Sequence, residues 1–393
     1  MNALRSTSIL PDFDQEEAFD MPSYRNLLPG EPAPWFTARA TTGKDFAFHT
    51  AGGRYLVLCF FASADARGSE AIQAALECPE IFNDSIASFF GISIDPADEA
   101  EQRLPPARCG YRFFWDFAGE ICKVYGAISG DIGAITKGIQ VRRKWVVLDP
   151  TLRVLKVLSF QQDGSDAQEL LKYLRSLPSP SRHAGFDVQA PVLVLPNIFE
   201  PSFCESLIAL HENHGGFETG VMRQVEGRTV MVHDHAHKRR RDCVIKDAKV
   251  IEQIRQRFAR AVAPELRKAY QYSATRMERY LVGCYRADDG GHFVAHRDNT
   301  TKGTAHRRFA VSVNLNSDFD GGEVSFPEYS RRGFKPPPGG AVVFSCSLLH
   351  SVSKVTRGCR YAFLPFIYDD DAAQIRKANN QFLGEGVIAY AGA

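Results

Sequence analysis

Apolar residues follow two different periods along the chain. In the first part, "RYLVLCFFAS" is a continuous apolar run, as a strand buried on both faces requires, and "SEAIQAALECPEIF" repeats its apolar positions at helical spacing. "SFFGISID" predicts a strand, "AGEICKVYGA" a helix, "KWVVLD" and "VLKVLSF" two strands joined by a turn, and "DAQELLKYLRSL" a closing helix. This alternation predicts an α/β unit with a mixed sheet. The second part opens on two helical patterns, "EPSFCESLIALHENH" and "DAKVIEQIRQRFARAVAPELRKAY". After residue 275 it becomes a series of short strands: "MERYLVGCYR", "RRFAVSVNLN", "GEVSFPEY", "GAVVFSC" and "CRYAFLPFIYD". Turn signals such as "DFDGG" and "KPPPGG" separate them, which predicts a mainly-β double-sheet jelly roll with flanking helices.

Between the two parts, "SLPSPSRHAG" (176 to 185) is rich in Ser and Pro and has no hydrophobic period, the pattern of a linker. The expected division is an N-terminal tail over 1–24, an α/β domain over 25–178, a linker over 179–189 and the jelly roll over 190–393. A chain of 393 residues exceeds one ordinary core and agrees with such a division. No internal repeat is present.

Charge and cysteine content narrow the classes. With 47 basic and 46 acidic residues the net charge is +1, so nothing in the overall field points to nucleic acid or an anionic membrane. The start, "MNALRSTSILPDFDQEEAFD", has acids where a signal peptide is basic and then apolar, and no apolar run reaches transmembrane length. The nine cysteines are scattered and several sit inside apolar strands, as reduced buried thiols do. The expectation is a cytoplasmic enzyme.

The candidate chemistry lies in "GGHFVAHRDNTTKG". Residues i and i+2 of a strand share a face, so His296 and Asp298 can hold one ion between them. "SCSLLHSVSKVTRGCRYAF" supplies a third ligand, His350, just past a buried strand. Two imidazoles and one carboxylate on one side of a metal leave the opposite positions open, the facial triad of non-haem Fe(II) oxygenases. Ten residues beyond His350, Arg360 opens the returning strand, where a buried guanidinium can hold a carboxylate by two parallel hydrogen bonds.

This set, in this order on strands, resembles the Fe(II)- and 2-oxoglutarate-dependent dioxygenases over roughly residues 190 to 370. "HSVSKVTRGCRYAF" resembles the prolyl-4-hydroxylase-like branch, and "CYRADDGGHFVAHRDN" the corresponding segment of the hypoxia-sensing prolyl hydroxylases with one extra residue. The resemblance implies a double-stranded β-helix fold, Fe(II) bound by His296, Asp298 and His350, and 2-oxoglutarate anchored by Arg360. It assigns a 2-oxoglutarate contact to Tyr285. In "AVSVNLN" the family often has a tyrosine where this chain has Asn314, a polar side chain that can still face the co-substrate. O2 is the second co-substrate and ascorbate a candidate reductant. Related halogenases lack the carboxylate that Asp298 supplies, so hydroxylation is the leading outcome, with desaturation as the other. A prolyl residue, a free amino acid and a small natural product all stand as substrate classes.

In "VHDHAHKRRRDCV", His233, His235 and His237 alternate without a carboxylate or thiolate partner, so a second metal site is the weaker reading. The better one is a basic lip in which Arg240 or Arg241 attracts an anionic substrate. "LLPGEPAPWFTARATTGKDFAFHTAGGRYLVLCFFASAD", "FFGISID" and "RRKWVVLDPTLRVLKVL" resemble a peroxiredoxin of the thioredoxin fold over roughly residues 25 to 178. That family attacks peroxide with a thiolate at the start of the helix after the first long strand. Here the segment reads "ASADARGSEAI", without cysteine; Cys59 is inside the strand and Cys78 late in the helix. Arg142 matches the arginine that assists the thiolate. A thiol-dependent peroxidase and a non-catalytic binding protein are thus the alternatives to the dioxygenase. The first domain is expected to be non-catalytic and to serve association, as a homodimer, or the substrate entrance.

Overall fold

The computed structural model describes residues 24–129 and 141–391, so the expected tail, apart from Tyr24, lies outside the described residues. β1 (Tyr55–Ala62) is buried at every position, as an unbroken apolar run requires. It is followed by α1 (Ala66–Leu76), β2 (Ala87–Ser93), β3 (Tyr111–Trp115), β4 (Lys144–Leu148), β5 (Val154–Ser159) and α2 (Ser165–Ser176). The sheet order is β3-β2-β1-β4-β5. The first three strands run parallel, while β4 and β5 are antiparallel to their neighbours, so the sheet is mixed. Phe60, Phe90, Phe114 and Tyr125 pack in one core cluster and Phe61, Phe89, Phe113 and Trp145 in another. Each such ring taken out of water contributes about 1.5–3 kcal/mol, which holds the layers together. Helix α1 begins at Ala66 rather than Ser69 because the Asp65 side chain caps it, accepting the Gly68 N–H at 2.8 Å.

The second region contains β6 (Leu193–Leu195), α3 (Pro201–His214), β7 (Phe217–Glu218), β8 (Lys238–Arg239) and β9 (Arg241–Val244). The long helical pattern that follows divides into α4 (Ala248–Ala261) and α5 (Ala263–Tyr270). Pro264 lacks the N–H needed to continue the ladder and its ring crowds the preceding turn. "MERYLVGCYR" likewise divides into β10 (Arg276–Glu278) and β11 (Leu281–Arg286), where Arg279 takes a φ of 64°. Then come β12 (His292–His296), β13 (Phe309–Asn314), β14 (Val324–Phe326), β15 (Ser330–Phe334), β16 (Ala341–Ser345), β17 (His350–Val352), β18 (Cys359–Phe363) and β19 (Phe366–Tyr368).

These strands form two antiparallel sheets, the jelly-roll arrangement that the strand pattern predicts. The larger runs β10-β19-β13-β18-β11-β9-β7, with β16 and β6 joined through β13, and the smaller runs β8-β12-β17-β14-β15. Alternation along the larger sheet separates two environments. Val311, Val313, Tyr361 and Phe363 pack in one cluster with Leu207, Ile254, Phe258 and Leu266 of the helices. Tyr285, Ala310, Val342 and Phe344 pack with Val324, Phe326 and Val352 of the smaller sheet. The space between the two sheets is where the candidate chemistry converges. Among the described residues no helix is long and apolar enough to cross a membrane.

Candidate active site

His296 ends β12 and His350 begins β17; the strands are antiparallel neighbours that pair these two residues, bringing their ring centroids within 4.2 Å. Asp298 follows just beyond β12. Its Oδ1 lies 3.5 Å from His296 Nε2 and its Oδ2 3.3 Å from His350 Nε2. One ligand atom from each of the three lies within 4.8 Å of the others, the single such cluster among the described residues. Each Nδ1 faces a backbone carbonyl, His296 to Val294 at 2.8 Å and His350 to Leu348 at 3.0 Å. Donation there leaves both Nε2 lone pairs aimed at the shared point, the orientation that a metal requires.

The local charges agree with this geometry. Burial works to raise the Asp298 pKa, but His350 and His296 beside it hold the carboxyl well below its usual range. Burial first, and then the neighbouring His350, push the His296 pKa down. An ionised carboxylate and a neutral imidazole are the forms that ligate. The smaller sheet and Phe344 wall the site: Phe293 stacks on His296 at 3.6 Å and Phe344 lies 4.6 Å from the His350 ring.

Deeper between the sheets sits Arg360, 1% exposed and directly across the β11–β18 pair from Tyr285. Its Nε donates to Asn314 Oδ1 at 3.0 Å and its Nη2 to Ser312 Oγ at 2.7 Å. Nη1 is buried with no partner. Burial lowers the Arg360 pKa, while Tyr285 opposes the shift. A buried cationic N–H left unpaired costs about 1–3 kcal/mol or more, a cost that a bound anion relieves. Asn314 also donates to the Pro336 carbonyl at 2.9 Å, so its side chain is fixed with the oxygen toward Arg360. Ser312, which no motif marks, completes this cradle. Its signal was its position two residues before Asn314, on the same strand face.

A sequence model of the 2OG-Fe(II) oxygenase superfamily matches residues 280–368, and one of the AhpC/TSA family matches residues 29–155. The chain joins a 2OG-Fe(II) oxygenase domain to an AhpC/TSA domain. Among similar curated proteins is a PKHD-type hydroxylase of Paracoccus denitrificans (strain Pd 1222), 42% identical over 86 residues, which are 20% of this chain and 38% of that protein. The chain thus spans well under half the length of the curated relatives it matches. Similar solved structures include Peroxidoxin BcpB from Mycobacterium tuberculosis, 25% identical with a TM-score of 0.34, covering 39% of this chain and 100% of that one. Another is a Trichoplax adhaerens prolyl hydroxylase in complex with a hypoxia inducible factor oxygen degradation domain peptide fragment. It is 16% identical with a TM-score of 0.36, covering 47% of this chain and 86% of that one.

The basic segment of the oxygenase domain is arranged differently from an exposed lip. Arg240 is buried, its Nε and Nη2 gripping Asp242 at 2.5 and 2.8 Å, and its Nη1 donates to the Tyr285 hydroxyl at 3.2 Å. Burial opposes both charges but is outweighed by their pairing: Asp242 raises the Arg240 pKa, and Arg240 holds the Asp242 carboxyl below its usual range. Lys238 is also buried and donates to Thr219, burial pushing its pKa down to about 6. Arg241 donates to the Gly215 and Gly216 carbonyls. Strand alternation explains the difference: Lys238 and Arg240 point inward, and the exposed cation is Arg239. Arg239 borders an open groove of about 720 Å³ lined also by His292, Phe293, Val294, Ser351 and Lys354. The groove runs beside the His296–Asp298–His350 cluster rather than over it, and Phe293 is the residue shared between the groove and the His296 ring.

Of the three alternating histidines, His235 pairs with Glu218 at 2.9 Å and His237 lies 6.2 Å from the His296 ring. Neither joins a metal cluster. His306 is buried against Glu278, and His292 bonds the Gly290 carbonyl at 2.7 Å.

The start of α1 in the AhpC/TSA domain contains Asp65, Ala66, Arg67 and Gly68, with no thiol. Asp65 is engaged by Arg143 through Nη1 at 3.0 Å and Nη2 at 2.5 Å. Arg143, not Arg142, therefore faces this helix start, while Arg142 stacks on the Tyr24 ring at 3.4 Å. Burial raises the pKa of Cys59, Cys78 and Cys122, the opposite of what a nucleophilic thiolate needs.

Proposed function

We propose that the protein is an Fe(II)- and 2-oxoglutarate-dependent hydroxylase. One observation carries the reading: a cluster of two imidazoles and a carboxylate opens into the same intersheet space as a buried guanidinium with an unspent N–H. His296, Asp298 and His350 would hold the metal. Arg360, its fork fixed by Ser312 and Asn314, would take the distal carboxylate of 2-oxoglutarate, with Tyr285 beside it. When bound, these groups supply C–H hydroxylation, in which O2 and 2-oxoglutarate are consumed and succinate and CO2 released. Asp298 keeps a carboxylate at the position that halogenases leave vacant. The aromatic and aliphatic walls behind it would limit the access of water to the reacting centre.

The substrate class is a prolyl residue, an amino acid or another small molecule. Its body would lie in the groove bordered by Arg239 and Lys354, because Phe293 links that groove to the His296 ring. Arg240 and Arg241 would act there only through the walls they brace, since their donors already have partners. The division into a non-catalytic domain over 25–178 and an oxygenase domain over 190–393, and a homodimeric assembly, belong to the same proposal; light scattering on the full chain tests the last. The function is tested by screening extract fractions for compounds that raise succinate production from 2-oxoglutarate with Fe(II). The expected result is stimulated turnover that His296→Ala and Arg360→Ala abolish. Turnover untouched by both substitutions would overturn the reading.

A further inference from the structure

We infer that the AhpC/TSA domain is a buttress for the metal ligands, acting through Arg297 and Glu328 as positioning residues. This rests on the reading that His296, Asp298 and His350 hold a metal. Arg297 lies between the first two ligands, just past the end of β12, and its guanidinium is spent on Glu328 and the Ser347 carbonyl rather than on them. It is 7% exposed and Glu328 is 6% exposed, so both charges are withdrawn from water. Arg297 Nη2 donates to Glu328 Oε1 at 2.6 Å and Nη1 to Oε2 at 3.0 Å. Nη1 also donates to the Ser347 carbonyl. Glu328 Oε2 accepts a further bond at 3.3 Å from the N–H of Leu349, the residue before His350. A single carboxylate thereby restrains the backbone beside all three ligands: through Arg297 the His296–Asp298 segment, and through Leu349 the start of β17.

The other domain covers this carboxylate. Glu328 sits in the turn between β14 and β15, and the 3-10 turn Phe48–Ala51 with Gly52 and Gly53 packs against that turn. Arg297 Nη2 reaches the His49 carbonyl at 3.3 Å, and its Cζ lies 4.4 Å from the Trp35 ring. A Cβ on Gly52 would come within 2.8 Å of Glu328 Cγ. One on Gly53, whose φ is +97°, would come within 2.6 Å of Pro327 Cβ and 2.9 Å of the Pro327 carbonyl. Only glycine permits this approach of the two backbones. Excluding water strengthens the ion pair and each hydrogen bond it makes, so the cover from the first domain stiffens the ligand strands of the second.

The test uses the full-length protein and Co(II) as the probe, reading affinity and the ligand-field absorption spectrum. Glu328→Gln keeps the shape and removes the charge. It is expected to weaken Co(II) binding about tenfold and to change the spectrum, at the lower end of what loss of a supporting group costs. Gly52→Val, which touches no ligand and lies in the other domain, is expected to act in the same direction. Arg331→Ala, which removes an interdomain bond from Arg331 to the Ser85 carbonyl away from the ion pair, should bind Co(II) as the parent does. Parent-like affinity and spectrum in both Glu328→Gln and Gly52→Val would overturn the buttress while leaving the metal site standing. A parent protein whose Co(II) binding is absent, or survives His296→Ala, would overturn the metal reading and the buttress with it. If Glu328→Gln does not fold by circular dichroism, Gly52→Val and Trp35→Ala decide by the same criterion.

Discussion

Arg143 in the first domain and Arg360 in the second occupy comparable places, each facing a spot where its fold family does chemistry. They differ in what is left over. Arg143 spends both Nη groups on the carboxylate of Asp65, which also caps α1, and the pair is partly open to solvent. Arg360 is held by a hydroxyl and an amide, both neutral, and keeps Nη1 free in a dry interior. A guanidinium matched to a carboxylate is electrostatically complete, whereas one braced by neutral acceptors keeps its charge for a ligand. Arg240, matched to Asp242, belongs with Arg143 despite lying in the oxygenase domain. The difference follows from the immediate partners, not from the domain.

Four measurements break or sharpen that comparison. The largest effect is expected at the ligands themselves: His296→Ala or His350→Ala should weaken Fe(II) in anaerobic titration by more than the roughly 100-fold cost of losing a supporting group. Parent-like affinity in either variant would remove the metal from the argument. Next, Arg360→Lys keeps the charge but not the fork and should weaken 2-oxoglutarate by about tenfold, and Arg360→Ala by up to about 100-fold. Unchanged affinity in both would mean that the free Nη1 has no ligand to meet.

The third concerns the domain contact. Burial, then the charge of Arg297, pushes the His49 pKa from 6.5 down to about 4. Between those values the folded state binds fewer protons than the unfolded chain, so stability falls as pH drops from 6.5 towards 4. The loss from this group is on the order of 2 kcal/mol, allowing for its partial exposure. It should be missing in His49→Gln when both proteins are denatured with urea at the two ends of that window; parallel pH dependences would refute it. The smallest effect is expected at the self-satisfied arginine. Arg143→Ala should cost about 0.5 kcal/mol, and the parent should show no thiol-dependent peroxide turnover. Steady turnover that Cys59→Ser or Cys78→Ser abolishes would show that the first domain retains a working nucleophile.

Much of this molecule was legible from local pattern. The unbroken apolar run of β1, the alternating strands after residue 275 and the His296–Asp298 spacing depend only on neighbours in sequence. Periodicity therefore carried the two folds, and the short His296–Asp298 spacing kept those two side chains together although Asp298 falls in the turn after β12 rather than on the strand. His350 and Arg360 were legible as candidates because their order along the strands restricted where they lie. What sequence could not settle was the partner of each charge. Arg240 read as an exposed cation because nothing local shows that Asp242 folds back onto it. Ser312 shares a strand face with Asn314, but nothing local shows that β13 comes to lie beside β18. Arg297, between His296 and Asp298, carries no local sign of its partner. Only when the β14–β15 turn meets Gly52 and Gly53 does its charge find Glu328, sealed by a domain more than 200 positions away in sequence. Hydrophobic period is a property of short windows, whereas the pairing of a buried charge is chosen by whichever long-range contact excludes water around it.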